Sequence, residues 1–344
     1  MSNKTLKITI GSINVSIETN NQRYFDYLSW YFKGSPASID TPTPVDIKIN
    51  WVKKLKSKNL ALRIGSNTYQ DKNALEITRK IAKKEKVLFN AVLEKNKLIL
   101  NINVKRKRED ILRYRFAPEK INSLFFELTF PFLYYPAFWY AQYFLNQHLL
   151  HASAVECNGK GIIICGLEGI GKTSLGLGLL DDNAKFLSDN LVFYDENDIY
   201  SCYECVRLNK NTETVPWQNK FKKINRGKNL KDFYLPTENF NIKKTKPTIF
   251  LFPYFSKQYE TKEIDAKWAA NYAILLSHLP SELNNYSQFR NSYNLFDLNS
   301  NLPLNAQVTL EKLLAKTRNF MVGMPKQDGL EKNITRVKEL ISHV

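Results

Sequence analysis

The segment that most constrains the fold is residues 161–180, GIIICGLEGIGKTSLGLGLL. It opens with a short apolar run typical of a buried strand, passes through G-x-x-x-x-G-K-T at 166–173, and continues as an apolar stretch suited to a helix. Between a strand and a helix, that glycine pattern forms a phosphate-binding loop. The sequence therefore predicts an α/β fold that binds a nucleotide.

The residue types in this loop each suit phosphate binding. Glycines allow the backbone to turn its N–H groups toward phosphate oxygens, in conformations that other residues reach only with strain. Lys172 brings a positive charge to the outer phosphates, and the Thr173 hydroxyl can coordinate Mg²⁺. We therefore expect the nucleotide to contact the following residues: Gly166, Gly169, Ile170, Gly171, Lys172, Thr173 and Ser174.

The flanking segments add two candidate side chains. Residues 150–157 alternate like a strand, and Asn158-Gly159 is a two-residue turn signal, so the strand before the loop is predicted to be the second arm of an antiparallel hairpin with His151 on the first arm. Downstream, 185–194 is predicted to be one strand that carries Asp189 at a polar position. A carboxylate there can hold Mg²⁺ or accept a proton.

Together these segments resemble the HPr kinase/phosphorylase family, whose nucleotide fold also occurs in ATP-dependent phosphoenolpyruvate carboxykinase. The family combines a leucine–histidine–small-residue strand, a hairpin, the glycine loop and an Asp-Asp strand, which correspond here to 150–152, 166–173 and 188–190. The resemblance covers residues 149–194 and extends in general shape to the C-terminus. It implies a mixed-sheet α/β P-loop kinase domain that uses ATP and Mg²⁺.

The resemblance also implies roles for individual residues. Lys172 would hold the β- and γ-phosphates, and Thr173 and Asp189 would hold Mg²⁺. Asp189 has the position of the family's catalytic base, with metal contact as its competing role. His151 would bind the transferring phosphate or the acceptor, although a buried structural histidine would look the same in sequence.

Two departures from the family pattern keep a second hypothesis open. Asn190 stands where the family has another acidic residue; its carbonyl oxygen could still reach Mg²⁺, but it carries no charge and accepts no proton. The Glu-x-Arg-Gly-x-Gly stretch of protein-directed kinases is also missing. The chain is therefore expected to be a divergent kinase for a hydroxyl, preferably serine, on a peptide, protein or small molecule, or else a catalytically impaired ATP-binding partner protein.

Charge and cysteine content limit the kinds of ligand, partner and metal site that the chain is expected to have. The net charge of +17 favours anionic ligands, including an anionic acceptor. The sequence lacks zinc-finger, helix-turn-helix and RNA-reading signatures, so a solvated basic surface is preferred to a nucleic-acid site, and a nucleic-acid-stimulated ATPase ranks last. Cys202 and Cys205 form one C-x-x-C without a second pair, whereas a structural zinc site needs four ligands, so such a site is not expected. No signal peptide is recognisable, and a cytoplasmic protein is expected.

The 344 residues suffice for about two domains. A β-rich domain is predicted for 1–112, either for substrate recognition or as a scaffold, with strands at 7–10, 14–17, 45–51, 60–64, 87–93 and 98–104 and a helix at 21–32. Residues 113–148 are predicted to be an aromatic-rich helical connector. Residues 149–344 would form the nucleotide-binding domain, with a strand at 248–252, another at 320–324, helices at 266–278, 306–317 and 330–342, and a loop at 209–246.

The connector is apolar enough to raise the question of a membrane span. Polar residues interrupt it, and Pro131 and Pro136 would break a continuous helix. We therefore expect two buried helices that join near these prolines and pack against the nucleotide-binding sheet. Their aromatic side chains would be core or subunit-interface material, which leaves a homo-oligomer open.

Overall fold

The structure is a computed structural model that describes residues 4–35, 42–57, 60–81, 85–105, 118–181, 183–209, 220–224, 231–237, 240–277, 279, 283–296 and 306–344. Within these ranges the chain is a mixed α/β protein with four sheets, of eight, six, four and three strands.

The first third of the chain forms the eight-stranded sheet. Its strands are β1 Lys4–Ile10, β2 Ile13–Thr19, β3 Val45–Val52, β4 Leu62–Gly65, β5 Thr68–Asp71, β6 Ala74–Ile81, β7 Glu85–Glu94 and β8 Lys97–Lys105, in the order β1-β2-β3-β8-β7-β6-β5-β4. Helix α1 Gln22–Tyr31 lies between β2 and β3, and the side chain of Asn21 caps it. All the strands predicted here are present, while β5 and β6 were not predicted.

The aromatic connector is a helical segment of three parts. It consists of α2 Pro118–Thr129, a π-helical turn Phe130–Tyr134 and α3 Tyr135–Phe144. The prediction of two helices that join near Pro131 and Pro136 is confirmed, since α2 ends at Thr129 and α3 begins at Tyr135. The expected break between them is a π-helical turn, which absorbs the missing N–H groups and keeps the segment helical. No helix within the described ranges is long and apolar enough to cross a membrane.

The remaining elements follow in chain order. The strands are β9 His148–Leu150, β10 Ala152–Cys157, β11 Lys160–Cys165, β12 Ala184–Ser188, β13 Val192–Tyr194, β14 Ile199–Ser201, β15 Val206–Asn209, β16 Phe221–Ile224, β17 Lys231–Pro236, β18 Lys244–Thr245, β19 Pro247–Ser256, β20 Glu260–Glu263 and β21 Arg318–Pro325. The helices are α4 Lys172–Gly178, α5 Ala266–Ser277, α6 Asn284–Tyr293, α7 Ala306–Leu314 and α8 Gly329–Ser342, with short 3₁₀ turns at Asn294–Phe296 and Lys326–Asp328.

The six-stranded sheet carries the glycine loop and has the order β12-β10-β11-β19-β21-β20. The predicted hairpin is confirmed: β10 and β11 pair antiparallel around Asn158 and Gly159, both at positive φ. Strands β11, β19 and β21 run parallel. Since side chains alternate across a strand, α4 and α8 pack on one face of this sheet while α5 and α7 pack on the other.

The connector does not pack on this six-stranded sheet as expected. Its buried rings belong to a core shared with the eight-stranded sheet and with β9 and β13 of the four-stranded sheet. Representative members are Phe138, whose ring lies 5.3 Å from that of Phe193, and Tyr24, whose ring lies 4.9 Å from that of Phe125. The first pair is edge-to-face and the second is tilted, and rings in such arrangements at these distances attract each other. The connector therefore joins the first sheet to the rest of the chain.

The four-stranded sheet has the order β18-β14-β13-β9. Two neighbouring chain segments, β9–β10 and β12–β13, each pass between this sheet and the six-stranded one. Strand β10 pairs with β12, whereas β9 pairs with β13. The expected single strands at 150–157 and 185–194 are therefore wrong: each is divided, at His151 and at residues 189–191. Both breaks lie at the boundary between the two sheets.

The segment expected to be a loop, 209–246, is partly β-structure. Strands β15, β17 and β16 form the three-stranded sheet, and β18 extends the four-stranded one. Residues 210–219, 225–230 and 238–239 of that expected loop lie outside the described residues.

Candidate nucleotide-binding site

The glycine loop lies between the end of β11 and the start of α4. Strand β11 is parallel to β19, so the loop opens at the carboxyl end of neighbouring parallel strands, where ligands bind in open α/β sheets. Gly169 and Gly171 have φ values of 81° and 95°. Only glycine adopts these angles readily, which explains why the sequence has glycine at both positions.

Lys172 lies against the backbone of its own loop. Its side chain is buried, and its ammonium group donates hydrogen bonds to the carbonyl oxygens of Gly166 at 2.7 Å and Leu167 at 3.2 Å. Two partly charged oxygens thus stabilise the buried cation. Ile170 is buried beside Gly166, and Ser174 is half-buried in the first turn of α4.

Thr173 and Asp189 are in direct contact. The hydroxyl of Thr173 lies 2.9 Å and 3.0 Å from the two carboxylate oxygens of Asp189. Burial raises the pKa of Asp189, while hydrogen bonds from Thr173 and Ser153 and the charges of Arg207 and Lys172 lower it. A hydroxyl beside a buried carboxylate is a set of hard oxygen donors that fits Mg²⁺.

A bend in the backbone sets the direction of Asp189. Strand β12 ends at Ser188, whose hydroxyl lies 2.5 Å from the carbonyl of Leu191 and 2.8 Å from that of Cys202. Asn190 has φ of 76°, a left-handed conformation that Asn tolerates better than most residues. Asp189 therefore lies at the boundary between two sheets instead of within a strand.

The side chain of Asn190 is bound by Glu204. Its amide nitrogen donates to the Glu204 carboxylate at 3.1 Å, and the other carboxylate oxygen lies 3.9 Å from Arg207. Glu204 is 2% exposed. This bond uses the amide nitrogen of Asn190, so the predicted metal role would have to use its oxygen, and that role stays a prediction. Neither the partnership with Glu204 nor the contact of Ser153 was predicted.

His151 is anchored to the C-terminal end of α5. Its backbone N–H donates to the Ser277 hydroxyl at 2.7 Å, and its ring Nδ1 lies 3.2 Å from the Ser277 carbonyl oxygen. Since a carbonyl only accepts, Nδ1 carries the proton in this contact. His151 is buried at the crossing between β9 and β10. These contacts give the ring a structural partner, and its predicted phosphate contact stays a prediction.

Close contacts with Ser153 and Ile334 explain why α4 contains two glycines. A Cβ on Gly176 would overlap the Ser153 hydroxyl, and a Cβ on Gly178 would overlap Ile334 of α8. The small residues thus let α4 approach β10 and α8 closely, which brings Thr173 to Asp189. The signal in the sequence was the pair of glycines in LGLGL at 175–179, which a helix interior does not otherwise favour.

No protein-family model matches the chain, and no curated protein matches it. Among solved structures, the chain is similar to the Hpr(Ser) kinase/phosphatase from Coxiella burnetii, with 10% sequence identity and a TM-score of 0.27. The similarity covers 57% of this chain and 99% of that one. It is a distant similarity to a kinase/phosphatase.

Proposed function

We propose that the chain binds a nucleoside triphosphate, with ATP as the expected one, at 166–174 and transfers its terminal phosphoryl group to a hydroxyl of a second substrate. The observation that carries this proposal is the contact between Thr173 and Asp189. It joins the phosphate-binding motif to a buried carboxylate, the two parts that phosphoryl transfer requires next to each other.

Each residue has a defined task in this proposal. The Lys172 ammonium exchanges the carbonyls of Gly166 and Leu167 for phosphate oxygens. The oxygen of the acceptor hydroxyl bonds to the γ-phosphorus, and Asp189 accepts the proton of that hydroxyl. The bond between the γ-phosphorus and the bridging β-phosphate oxygen breaks, and the nucleoside diphosphate leaves. A raised pKa makes this carboxylate a better base than an exposed one. In the competing role of this carboxylate, Asp189 and Thr173 would hold Mg²⁺, which would neutralise charge on the phosphates.

A second candidate function is nucleotide binding without efficient transfer. It is favoured by the bond from Asn190 to Glu204, because a neutral amide occupies the position next to Asp189. Under this hypothesis the protein binds ATP and turns it over negligibly. The two hypotheses agree on the binding site and differ on the rate of transfer.

The test measures ATP binding by calorimetry and phosphate transfer from labelled Mg-ATP to a panel of serine peptides and hydroxyl-bearing metabolites. Lys172→Ala is expected to weaken binding at least ~tenfold, because it removes a charge-assisted contact. Asp189→Ala is expected to keep ATP binding and lower transfer ~100-fold or more, because it removes the base. Lys262→Ala, on the exposed strand β20, serves as the matched control for Lys172.

Binding of ATP with negligible transfer in the wild-type protein would favour the second hypothesis. Equal binding by the wild-type protein and Lys172→Ala would refute both, provided that Lys262→Ala behaves like the wild type.

A further inference from the structure

Three exposed apolar side chains lie at the edge of the six-stranded sheet that carries the glycine loop. Among the described residues nine large apolar side chains are exposed, and these three are Leu167, Phe255 and Leu330. Leu167 is in the loop after β11, Phe255 is near the end of β19, and Leu330 follows β21 at the start of α8. The three strands are parallel neighbours, so their carboxyl ends meet at one edge. Exposed apolar surface is therefore present beside the glycine loop.

The ring of Phe255 lies on the face of this sheet against which α4 packs. Phe255 pairs with Met324 across β19 and β21, and paired residues point to the same face. Met324 belongs to the core beneath α4 and α8. A Cβ on Gly166 would lie 3.5 Å from Pro253, two positions before Phe255. Two residues of about 3.3 Å along the strand and a step of about 4.8 Å between strands place the Phe255 backbone roughly 8 Å from that of Gly166.

Phe255 is held in place while much of its ring stays open. The side chain is 49% exposed, and the Lys326 ammonium group lies 4.3 Å from the centre of the ring in a cation–π contact. The side chain of Gln327 donates to the carbonyl oxygen of Lys257 at 2.7 Å, which ties the end of β19 to the turn after β21. Because the ammonium group covers one face of the ring, a planar group can stack on the other face.

Leu330 lies on the side of α8 that faces α4. Ile334, one helical turn later, is close enough to α4 to overlap a Cβ added to Gly178. Residues four apart share one face of a helix, so Leu330 is on the same face as Ile334. Strand β19 lies between β11 and β21 in the sheet. Along this edge, Phe255 is therefore between the element that carries Leu167 and the one that carries Leu330.

We propose that the base of the bound nucleotide stacks on Phe255, between Leu167 and Leu330. This proposal rests on the proposed function and identifies the part of that site that binds the base. A nucleotide with its phosphates at 166–174 carries its base beyond the ribose, and the roughly 8 Å between Gly166 and Phe255 suits that separation. An exposed apolar surface next to a polar loop is typical of a ligand site.

Recognition by stacking tolerates different bases. Stacking uses the flat face that every base has, whereas discrimination between adenine and guanine requires hydrogen bonds to the base edge. GTP is therefore expected to bind within ~threefold of ATP. Pyrimidine nucleotides are expected to bind more weakly than either, because a smaller ring covers less of Phe255.

The binding test compares ATP with inorganic tripolyphosphate, which has the phosphates without the base. Phe255→Ala is expected to weaken ATP binding ~tenfold, as for a lost stacking contact, and to leave tripolyphosphate binding unchanged. Since tripolyphosphate reports an intact glycine loop, a folding defect cannot imitate this result.

Trp268→Ala is the matched control and is expected to leave ATP binding unchanged. Its ring is 43% exposed, close to the value for Phe255. It lies at the start of α5, which follows β20, and Glu263 at the end of β20 pairs with Phe320 near the start of β21. The control therefore removes an exposed ring at the opposite edge of the same sheet.

Phe255→Trp gives a direct signal because it keeps an aromatic ring at this position. It is expected to retain the affinity for ATP, and the fluorescence that it adds to that of the wild-type protein is expected to be quenched by ATP and GTP but not by tripolyphosphate. Quenching by tripolyphosphate to the same extent would contradict contact with the base.

The outcomes separate this proposal from the proposed function. Equal ATP binding by the wild-type protein and Phe255→Ala, together with weakened binding by Lys172→Ala, would overturn the base site and leave the proposed function standing. A preference for ATP over GTP of more than ~tenfold would overturn recognition by stacking. A wild-type protein that binds no ATP would refute both.

Discussion

The hydroxyl of Thr173 bridges both carboxylate oxygens of Asp189, at 2.9 Å and 3.0 Å, across 16 positions of sequence. This contact ties the first turn of α4 to the end of β12, although these elements reach the site from different directions. It also places a buried carboxylate, with its pKa raised mainly by burial, next to the glycine loop. A buried charge of this kind costs stability, and carboxylates with shifted pKa values are concentrated at functional sites.

Asp189→Asn should raise stability while it lowers transfer. The pKa of Asp189 is raised in the folded protein, so the folded state binds its proton more tightly than the unfolded state. The contribution of this group to stability is therefore complete in acid and is lost as pH rises through the folded pKa. A neutral amide avoids this loss, and we expect a gain on the order of 1 kcal/mol at neutral pH.

Thermal unfolding of both proteins across the pH range checks this prediction. The two curves should converge in acid and separate as the pH rises. A wild-type protein that gains stability relative to the variant toward neutral pH would contradict the assigned direction of the shift.

Asn190→Asp should destabilise the protein instead of simply restoring an acidic pair. It would place a carboxylate 3.1 Å from that of buried Glu204 and remove the amide donor. We expect a loss of ~2–3 kcal/mol, as for a broken hydrogen bond to a buried charged group. Glu204→Gln in the same chain should recover most of the loss, and a double-mutant cycle in urea measures the coupling. Additive effects would show that the two side chains do not interact.

Gly176→Ala should strain the contact between α4 and β10. Its new Cβ would overlap the Ser153 hydroxyl, and overpacking of this kind costs ~1–3 kcal/mol. Ser153→Ala in the same chain should relieve the overlap. Gly65→Ala is the control, since a Cβ there meets Thr68 only at 3.8 Å. Equal melting temperatures for Gly176→Ala and Gly65→Ala would show that α4 does not need its glycine.

His148 should make the protein sensitive to acid. Burial lowers its pKa from 6.5 to about 4, and its ring lies 5.6 Å from that of Tyr194. The unfolded state therefore binds the proton first as pH falls through this window, and up to ~3 kcal/mol of stability is lost between those two values. His148→Gln should flatten the loss, as urea unfolding at several pH values would reveal. An unchanged slope would contradict the assignment.

The elements that the sequence predicted well are those with a local signal. The glycine loop, the Asn158-Gly159 hairpin and the strand at 248–252 depend on turn residues or on apolar runs that act over short distances. The helix at 21–32 likewise follows from its apolar spacing. The structure confirms each of them within a few positions.

The crossings at His151 and at 189–191 had no such signal. Apolar alternation continues through both breaks, because both flanking strands are buried, and only pairing with two different sheets divides them. The position of the connector was mistaken for a related reason. Its rings are buried on nearly every side, so their sequence does not indicate which sheet they cover.

The two neighbouring crossings, at His151 and at 189–191, affect how the chain tolerates insertions and deletions. Adjacent strands bend together at one boundary, and Ser188 is in register with Ala154 just before it. Deleting a single residue from β12 would reverse the facing of every side chain after the deletion unless the second strand shifted with it. The carboxylate of Asp189 would then point away from the glycine loop, and the buried side chains of the strand would face the wrong layers of the core. Length changes in this region should therefore separate Asp189 from Thr173 and also lower the stability of the fold.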